Sequence, residues 1–373
     1  MTLDSLHLLF FKNYDEANLT FSPGINCFIG DNGSGKTNLL DAIHYLALTK
    51  SAFTATDAQS IKQDGEFFVV KGRFSSPQPS LPPRTETIQV SLRQGQKKIL
   101  THDKQPYERM ADHIGRYPAV LISPYDTDLI RQGSEDRRKY FDSLQAQLDH
   151  DFLELLISYS GLLRQRNATL KQSGAASHGF DHDYLLALDE QLVPLGQQLH
   201  ELRAVFLADF LPLFQRHYQQ LADKQEQVTL AYKSQLTNQD FGALLRVNER
   251  RDQLLQRTHA GPHRDDFVFL MDGRSVRNYA SQGQQKSFAI ALKLAQFEIL
   301  AVRRGRKPLL LLDDIFDRLD SKRIARLLEL VADDTFGQVF LTDTNLARTD
   351  QALARVQTDI RRFQVRAGVV APV

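Results

Sequence analysis

Residues 30–37 read GDNGSGKT, and no other stretch restricts the fold of this chain so strongly. A phosphate-binding loop of the form GxxxxGKS/T works only where a strand runs into it and a helix leaves it. Both neighbours are present: the apolar run at residues 25–29 predicts the strand, and residues 38–47 predict the helix. Gly30, Gly33 and Gly35 allow a turn so tight that backbone N–H groups along the loop, through Asp31, Asn32 and Ser34, point inward at phosphate oxygens. The helix N-terminus adds its partial positive charge. Lys36 is expected to bridge the terminal phosphates and Thr37 to hold Mg²⁺. A chance glycine-rich turn gives no reason for all these anchors in this context, so the motif implies an ATP or GTP site in an α/β fold.

Length and charge set the remaining bounds. A chain of 373 residues exceeds the ~100–200 of a usual single domain, so two domains are expected. Lys and Arg total 46 against 45 Asp and Glu, so any basic footprint has to be local. The one cysteine, Cys27, excludes an internal disulfide and sits in the apolar strand before the loop, where it reads as a small buried thiol. Asp4, Asp15 and Glu16 fall where a secretory signal would be basic and then apolar, and no apolar run is long enough to span a bilayer. The expected location is the cytoplasm, with no membrane association.

Strand patterns at residues 6–11, 19–21, 25–29, 67–74, 86–92 and 97–101 fill the first third, interrupted by one helix. SSPQPSLPPR at 75–84 predicts an exposed hairpin tip, because proline cannot donate within a sheet. The pattern then turns helical. Phe152, Leu155, Leu156, Tyr159, Leu162 and Leu163 recur at three and four spacing, as do Leu185, Leu188, Leu192, Leu195, Leu199, Leu202 and Phe206, with a loop over 173–181 between them. Core packing is the simplest meaning of this leucine stripe. Strands return at 228–232 and 338–341. Residues 308–314, PLLLLDD, form a buried-strand pattern delivering two carboxylates to its C-terminal end, the place of a metal-binding acid in a phosphate-loop fold. Asp313 is expected to hold Mg²⁺ directly or through water. The long interval between Lys36 and Asp313 requires an insertion, so the α/β unit is expected in two pieces, 1–125 and 226–373, around a helical arm at 126–225.

Residues 280–287, ASQGQQKS, precede a helical pattern at 288–300. Ser281, Gly283 and Gln284 resemble the signature motif of the ABC-type ATPases, usually LSGGQ, which in that superfamily closes on a nucleotide held by the opposite subunit. A serine hydroxyl, a glycine amide and a helix start suit a γ-phosphate. Within the superfamily the chain resembles the RecF family of bacterial recombination mediators over essentially its whole length. The similar blocks are FFKNY at 10–14, GDNGSGKTNLLDAIHYL at 30–46, LISPYDTDLIRQGSEDRRKYFD at 121–142, LLRQRNATL at 162–170, AGPHRDDF at 260–267, SQGQQKSFAIALKLA at 281–295 and LLLLDDIFDRLD at 309–320.

The resemblance implies an ABC-type ATPase head, a mixed sheet with an antiparallel subdomain, carrying an inserted helical arm. It implies ATP with Mg²⁺, an ATP-driven homodimer, binding to double-stranded DNA beside single-stranded gaps, and cooperation with RecR and RecO in loading RecA. Asp314 stands where many ABC enzymes carry the glutamate that deprotonates water. The shorter aspartate, acting as base or as an outer acid of the Mg²⁺ shell, predicts slow hydrolysis and ATP used as a switch. Asp317 to Asp320 resembles the D-loop, with aspartate at its frequently serine first position. Thr342, Asp343, Thr344 and Asn345 fall where transporters commonly have a switch histidine, which leaves a hydroxyl or amide as γ-phosphate sensor. Ser123 to Asp126 matches the Q-loop stretch without its glutamine.

Lys12 either faces the nucleotide or is an ordinary edge lysine. The candidate DNA footprints are Arg131, Arg137, Arg138 and Lys139, or Arg303, Arg304, Arg306 and Lys307, with a solvated charged face or pairing to acids such as Asp142 as the alternative. His259, His263 and Asp265 read as capping or pairing residues, not metal ligands. A transporter ATPase is disfavoured by the missing histidine and the FFKNY opening. A chromosome-organising ATPase is disfavoured by the short helical insert, and a nuclease fusion by the absence of room after the ATPase elements.

Overall fold

The computed structural model describes residues 1–78, 81–172, 181–222, 226–315, 336–354 and 356–373. Two compact units emerge, Met1–Asp126 with Lys286–Val373, and Thr127–Gln285. The expected D-loop at 317–320 and nearly all of the expected loop at 173–181 lie outside the described residues.

The first unit is organised around helix α1 (Lys36–Leu48), where every residue from Leu39 to Leu48 is buried. Apolar residues all around a helix, instead of along one stripe, mean that it is covered from more than one side. One cover is an antiparallel sheet of β1 (Thr2–Phe11), β2 (Tyr14–Thr20), β4 (Phe67–Gln78), β5 (Leu81–Arg93), β6 (Ile99–His102) and β7 (Gln105–Pro106), in the order β2-β1-β4-β5-β6-β7. The other is built from β3 (Ile25–Ile29), β8 (Ala119–Ile122), β12 (Leu309–Leu312), β13 (Val339–Asp343), β14 (Ile360–Arg366) and β15 (Val369–Pro372), in the order β15-β14-β3-β13-β12-β8. All its pairings are parallel except β14 with β15. Leu6, Leu8, Phe68 and Val70 of the first sheet share one core with Ile43 and Leu46 of α1, and with Phe28, Leu311 and Phe340 of the second sheet.

The uninterrupted Leu309–Leu312 run is completely buried, as a parallel strand covered on both faces requires. β13 lies between β3 and β12, so the ends of the phosphate-loop strand and of the acid-bearing strand flank Thr342. The proline-rich segment is exposed at Pro77 and at Pro82 to Arg84 on the β4–β5 hairpin, as expected, but the strand ladder runs further into it than expected, to Ser76↔Arg84 and Gln78↔Leu81. The reason is local. β1 pairs with β4 only as far as Ser75, so Pro77 sits at a bulge beyond the reach of that neighbour and no sheet donor is lost there.

The second unit contains α2 (Asp128–Arg131), α3 (Ser134–Leu148), α4 (His150–Gln172), α5 (His182–Leu221), α6 (Phe241–Leu255) and α7 (Val276–Tyr279). It also holds a sheet of β9 (Val228–Lys233), β10 (Asp266–Met271) and β11 (Arg274–Ser275), ordered β11-β10-β9. At 1.5 Å per residue the 40-residue α5 is roughly 60 Å long. The compact units therefore place residues 226–285 with the arm, where a return to the head was expected at 226. The packing explains this. The Phe141 ring of α3 lies 5.6 Å from Phe210 of α5 and 4.2 Å from Phe267 of β10, so strand and helices share one core. Helix α8 (Gln282–Arg304) starts in this unit and continues in the first, and α9 (Leu346–Leu353) completes the described helices.

Candidate functional site

The phosphate loop is held from outside by groups that leave its interior free. Gly35 adopts φ 114°, and a Cβ there would come within 2.4 Å of the Asn13 amide and 2.8 Å of the Tyr14 hydroxyl. Only glycine fits both demands. Tyr14 Oη donates to the Gly35 carbonyl at 2.9 Å, Asn13 Nδ2 donates to the Ser34 carbonyl at 3.1 Å, and Asn38 Nδ2 donates to Asn13 Oδ1 at 2.7 Å. The Gly368 N–H closes on Ser34 O at 3.1 Å. At Gly30 a Cβ would collide with the Val365 carbonyl at 2.2 Å. Asp31, Asn32 and Gly33 form the exposed crest of the loop.

Lys36 is buried, and its ammonium donates to the Gly30 carbonyl at 2.8 Å and the Asp31 carbonyl at 3.0 Å. The Ser34 hydroxyl is buried with no hydrogen-bond partner. A buried hydroxyl with no protein partner and an ammonium at the loop suit an anion there.

The acid-bearing strand meets this loop. Thr37 Oγ1 and Thr342 Oγ1 each donate to Asp313 Oδ1 at 2.9 Å. Thr342 Oγ1 also accepts the Asp314 N–H at 2.9 Å. Burial, aided by the neighbouring Asp314 charge, pushes the Asp313 carboxyl up to about 6 against the opposing hydroxyl bonds and Lys36. A buried carboxylate beside a threonine hydroxyl suits a divalent cation that completes its shell with water and phosphate oxygens. Asp314 is half-buried and has φ 42°, a backbone setting uncommon for a residue with a side chain.

Asp343, at the end of β13, is turned away from cation binding by Arg348 and by the Thr349 hydroxyl at 2.7 Å, while its carbonyl accepts the Gly30 N–H at 3.2 Å. Ser123 to Asp126 caps β8: the Ser123 N–H donates to Asp126 Oδ2 at 2.8 Å, and Lys293 pairs with Asp126 at 3.2 Å. Cys27 is buried in β3, which pushes its thiol up to about 12.

The signature segment belongs to the second unit. Ser281 is exposed before α8 and makes a reciprocal capping box with Gln284: Ser281 N–H donates to Gln284 Oε1 at 2.7 Å, and Gln284 N–H donates to Ser281 Oγ at 3.3 Å. Gln284 Nε2 further donates to Glu226 at 2.7 Å, and Gly283 lies in the helix's first turn. The helix starts six residues before the expected apolar run because this box satisfies its first N–H groups.

Several expected assignments change. Lys12 faces neither nucleotide nor solvent edge: its ammonium pairs with the fully buried Asp41 of α1 at 2.6 Å. Arg137 clasps Asp266 through bonds of 2.8 and 3.0 Å, Arg138 donates to the Asp265 carbonyl, Arg131 donates to Gln285 at 3.1 Å, and Lys139 pairs with Glu135 at 2.7 Å. The first basic cluster is thus engaged within its own unit. Asp142 pairs with Arg203 at 2.7 Å, not with Arg137 or Arg138. In the second cluster Arg306 donates to the Arg116 carbonyl at 3.2 Å, and Arg303, Arg304 and Lys307 have partners too. His259 bonds Asp252 at 2.9 Å, and His263 sits between the Tyr159 hydroxyl at 2.8 Å and the Thr258 carbonyl at 3.0 Å. The structural roles of Asn13 in a turn, Tyr14 at the start of β2 and Asn38 in the first turn of α1 were not legible as such, since their hydrogen bonds leave no mark on periodicity.

Residues 2–360 match the RecF/RecN/SMC N terminal domain family. A relative from Flavobacterium johnsoniae, named DNA replication and repair protein RecF, is 47% identical over 98% of this chain and 100% of its own length. The chain belongs to the RecF family. The RecF of Cytophaga hutchinsonii is 43% identical over 99% of this chain and 96% of its own. Among solved structures, the recombination mediator RecF bound to ATP, described as acting in the RecFOR pathway, has a TM-score of 0.87 at 27% identity, covering 100% of this chain and 99% of its own. An Smc head domain from Pyrococcus furiosus, at TM-score 0.58 and 17% identity over 100% of this chain and 95% of its own, shares the ABC-type head fold.

Proposed function

We propose that this chain is an ATP-dependent recombination mediator. ATP with Mg²⁺ closes two copies into a homodimer that holds double-stranded DNA next to single-stranded gaps. With RecR and RecO it promotes RecA loading in gap repair, replication restart and SOS induction, in the cytoplasm. The observation that carries this reading is the corner where Thr37 and Thr342 bond the same oxygen of Asp313 beside the phosphate loop. That corner suits a metal-bound triphosphate, and the relatives named above are RecF proteins. No described helix is long and apolar enough to cross a membrane.

In this reading Lys36 exchanges its two carbonyl partners for β- and γ-phosphate oxygens. Thr37 and Asp313 would hold Mg²⁺, which would draw charge off the transferring phosphoryl group. Asp314 takes the proton of the attacking water. The exposed Ser281 hydroxyl and the Gly283 amide, at the start of α8, complete the γ-phosphate site of the opposite subunit. Aspartate's short reach keeps turnover below the ~10 s⁻¹ enzyme median, so ATP serves as a closing switch. Sedimentation with Mg-ATP tests this: the chain dimerises, while Lys36→Met and Ser281→Arg remain monomeric. A dimer independent of both residues contradicts the reading.

A further inference from the structure

A basic concavity at the far edge of the parallel sheet has no part in the nucleotide site. It encloses about 630 Å³ and is lined by Ser76, Arg84, Glu86, Arg116, Tyr117 and Arg306, among others. Arg116 immediately precedes the approach to β8 and Arg306 the approach to β12, so both lie at the N-terminal ends of these parallel strands. The phosphate loop and Asp313 lie at the C-terminal ends. A four-residue strand alone puts roughly 13 Å between the two edges.

Charge in this concavity is not balanced. Its single carboxylate, Glu86, is shared by Arg84 at 2.8 Å, His102 at 3.1 Å and the Tyr117 hydroxyl at 3.1 Å. Arg306 donates to the Arg116 carbonyl at 3.2 Å, and Arg116 to the Asp112 carbonyl at 3.1 Å, with its guanidinium against the Tyr107 ring at 5.8 Å. Neither has a carboxylate partner among the described residues. Burial and then the Arg306 charge push the Met1 amine, on the same wall, below its ordinary value. Like charges gathered around a concave wall focus the field and concentrate anions there. The volume falls within the ~300–1,000 Å³ of small-ligand sites, and guanidinium forks match phosphate oxygens in pairs. Tyr117 is buried and its hydroxyl is committed to Glu86, so no ring is offered for base stacking and recognition is ionic.

We infer that this concavity is a second anion site, which takes a phosphate group between Arg116 and Arg306, with Arg84 at the rim. The phosphate comes either from a free oligophosphate or from a nucleic-acid backbone. The site stands independently of the nucleotide reading.

Inorganic tripolyphosphate is titrated calorimetrically, without Mg²⁺, into the full chain, Arg116→Ala/Arg306→Ala, Lys36→Met and the combined variant. A 20-base-pair duplex is titrated in parallel at low salt, and melting curves verify that the exposed-arginine variants fold. A free-phosphate site gives tripolyphosphate binding that Lys36→Met retains and that the double arginine variant weakens at least tenfold. A backbone site gives no such tripolyphosphate binding but at least tenfold weaker duplex binding by the arginine variant, restored by Arg116→Lys/Arg306→Lys. If neither anion distinguishes the arginine variant from the parent, the proposal is overturned. Failure of Lys36→Met to remove any phosphate binding would instead count against the nucleotide reading.

Discussion

Replacing Thr342 by valine keeps the shape of a fully buried side chain while deleting one oxygen. That oxygen donates to Asp313 at 2.9 Å and accepts the Asp314 N–H at 2.9 Å. A hydrogen bond to a charged group contributes about 1.5–3 kcal/mol, and an N–H left without a partner costs about 1–3 kcal/mol. The charged form of Asp313 thus loses a stabilising donor, and its pKa, already raised to about 6, moves higher. A raised folded-state pKa means that the metal-free fold favours protonated Asp313. That contribution is fully present below the ordinary carboxylate value and is lost as pH rises through about 6, a change on the order of 3 kcal/mol. Cation binding needs the ionised form, so it must expel the proton below that pH. Affinity for a fluorescent ATP analogue with Mg²⁺, measured from pH 5 to 8, should therefore fall up to tenfold per pH unit below about 6. In Thr342→Val the fall begins at higher pH, and binding at pH 7 is roughly two- to fifteenfold weaker. Coincident profiles for the two proteins refute the proposed role of this hydroxyl.

Further expectations concern other parts of the chain. Arg166, fully buried between Asp189 at 2.6 Å and Asp252 at 2.7 Å, supports the arm; Arg166→Met strands the buried Asp252 charge and should cost about 3–5 kcal/mol in urea unfolding, much of it recovered by adding Asp252→Asn. Gly35→Ala, with φ 114° and Asn13 and Tyr14 against the missing Cβ, should abolish nucleotide binding while leaving DNA binding without nucleotide unchanged. His113, buried with Nε2–H on the Leu46 carbonyl at 2.7 Å, is pushed down to about 4 by burial. Its contribution to stability is present above pH 6.5 and lost as pH falls through 4, so an NMR titration near 6.5 would contradict the neutral, buried assignment. Asp314→Asn should reduce hydrolysis at least a hundredfold and retain the ATP-dependent dimer, by the usual weight of a general base.

The sequence disclosed the local chemistry well because a phosphate loop is contiguous. Gly30 to Thr37 need no tertiary information to be recognised, and the bare leucine run before Asp313 announces a strand covered on both sides. What depends on partners far along the chain was less readable. Arg137 and Arg138 look like a free basic cluster until Asp265 and Asp266 arrive from β10 and the turn before it. Lys12 looks like an edge residue until Asp41 of α1 is brought under it. The strands after residue 226 have the alternation of any half-buried sheet, and contacts such as Phe141 against Phe267 and Arg137 on Asp266 tie them to the helical arm only once the chain is folded. Asn13 sits in the turn before β2 and Tyr14 opens that strand, where no period marks a residue that braces a loop about twenty positions later.

The central claim is that ATP in the phosphate loop creates the DNA-holding state. Fluorescence anisotropy of a labelled gapped DNA and of a matched blunt duplex, with no nucleotide, with ATP or with ADP, tests it most directly, with Lys36→Met as the control. The account predicts that ATP alone tightens binding, most on the gapped DNA, and that the variant does not respond. Binding indifferent to nucleotide, or absent even at low salt where phosphate contacts are strongest, contradicts it.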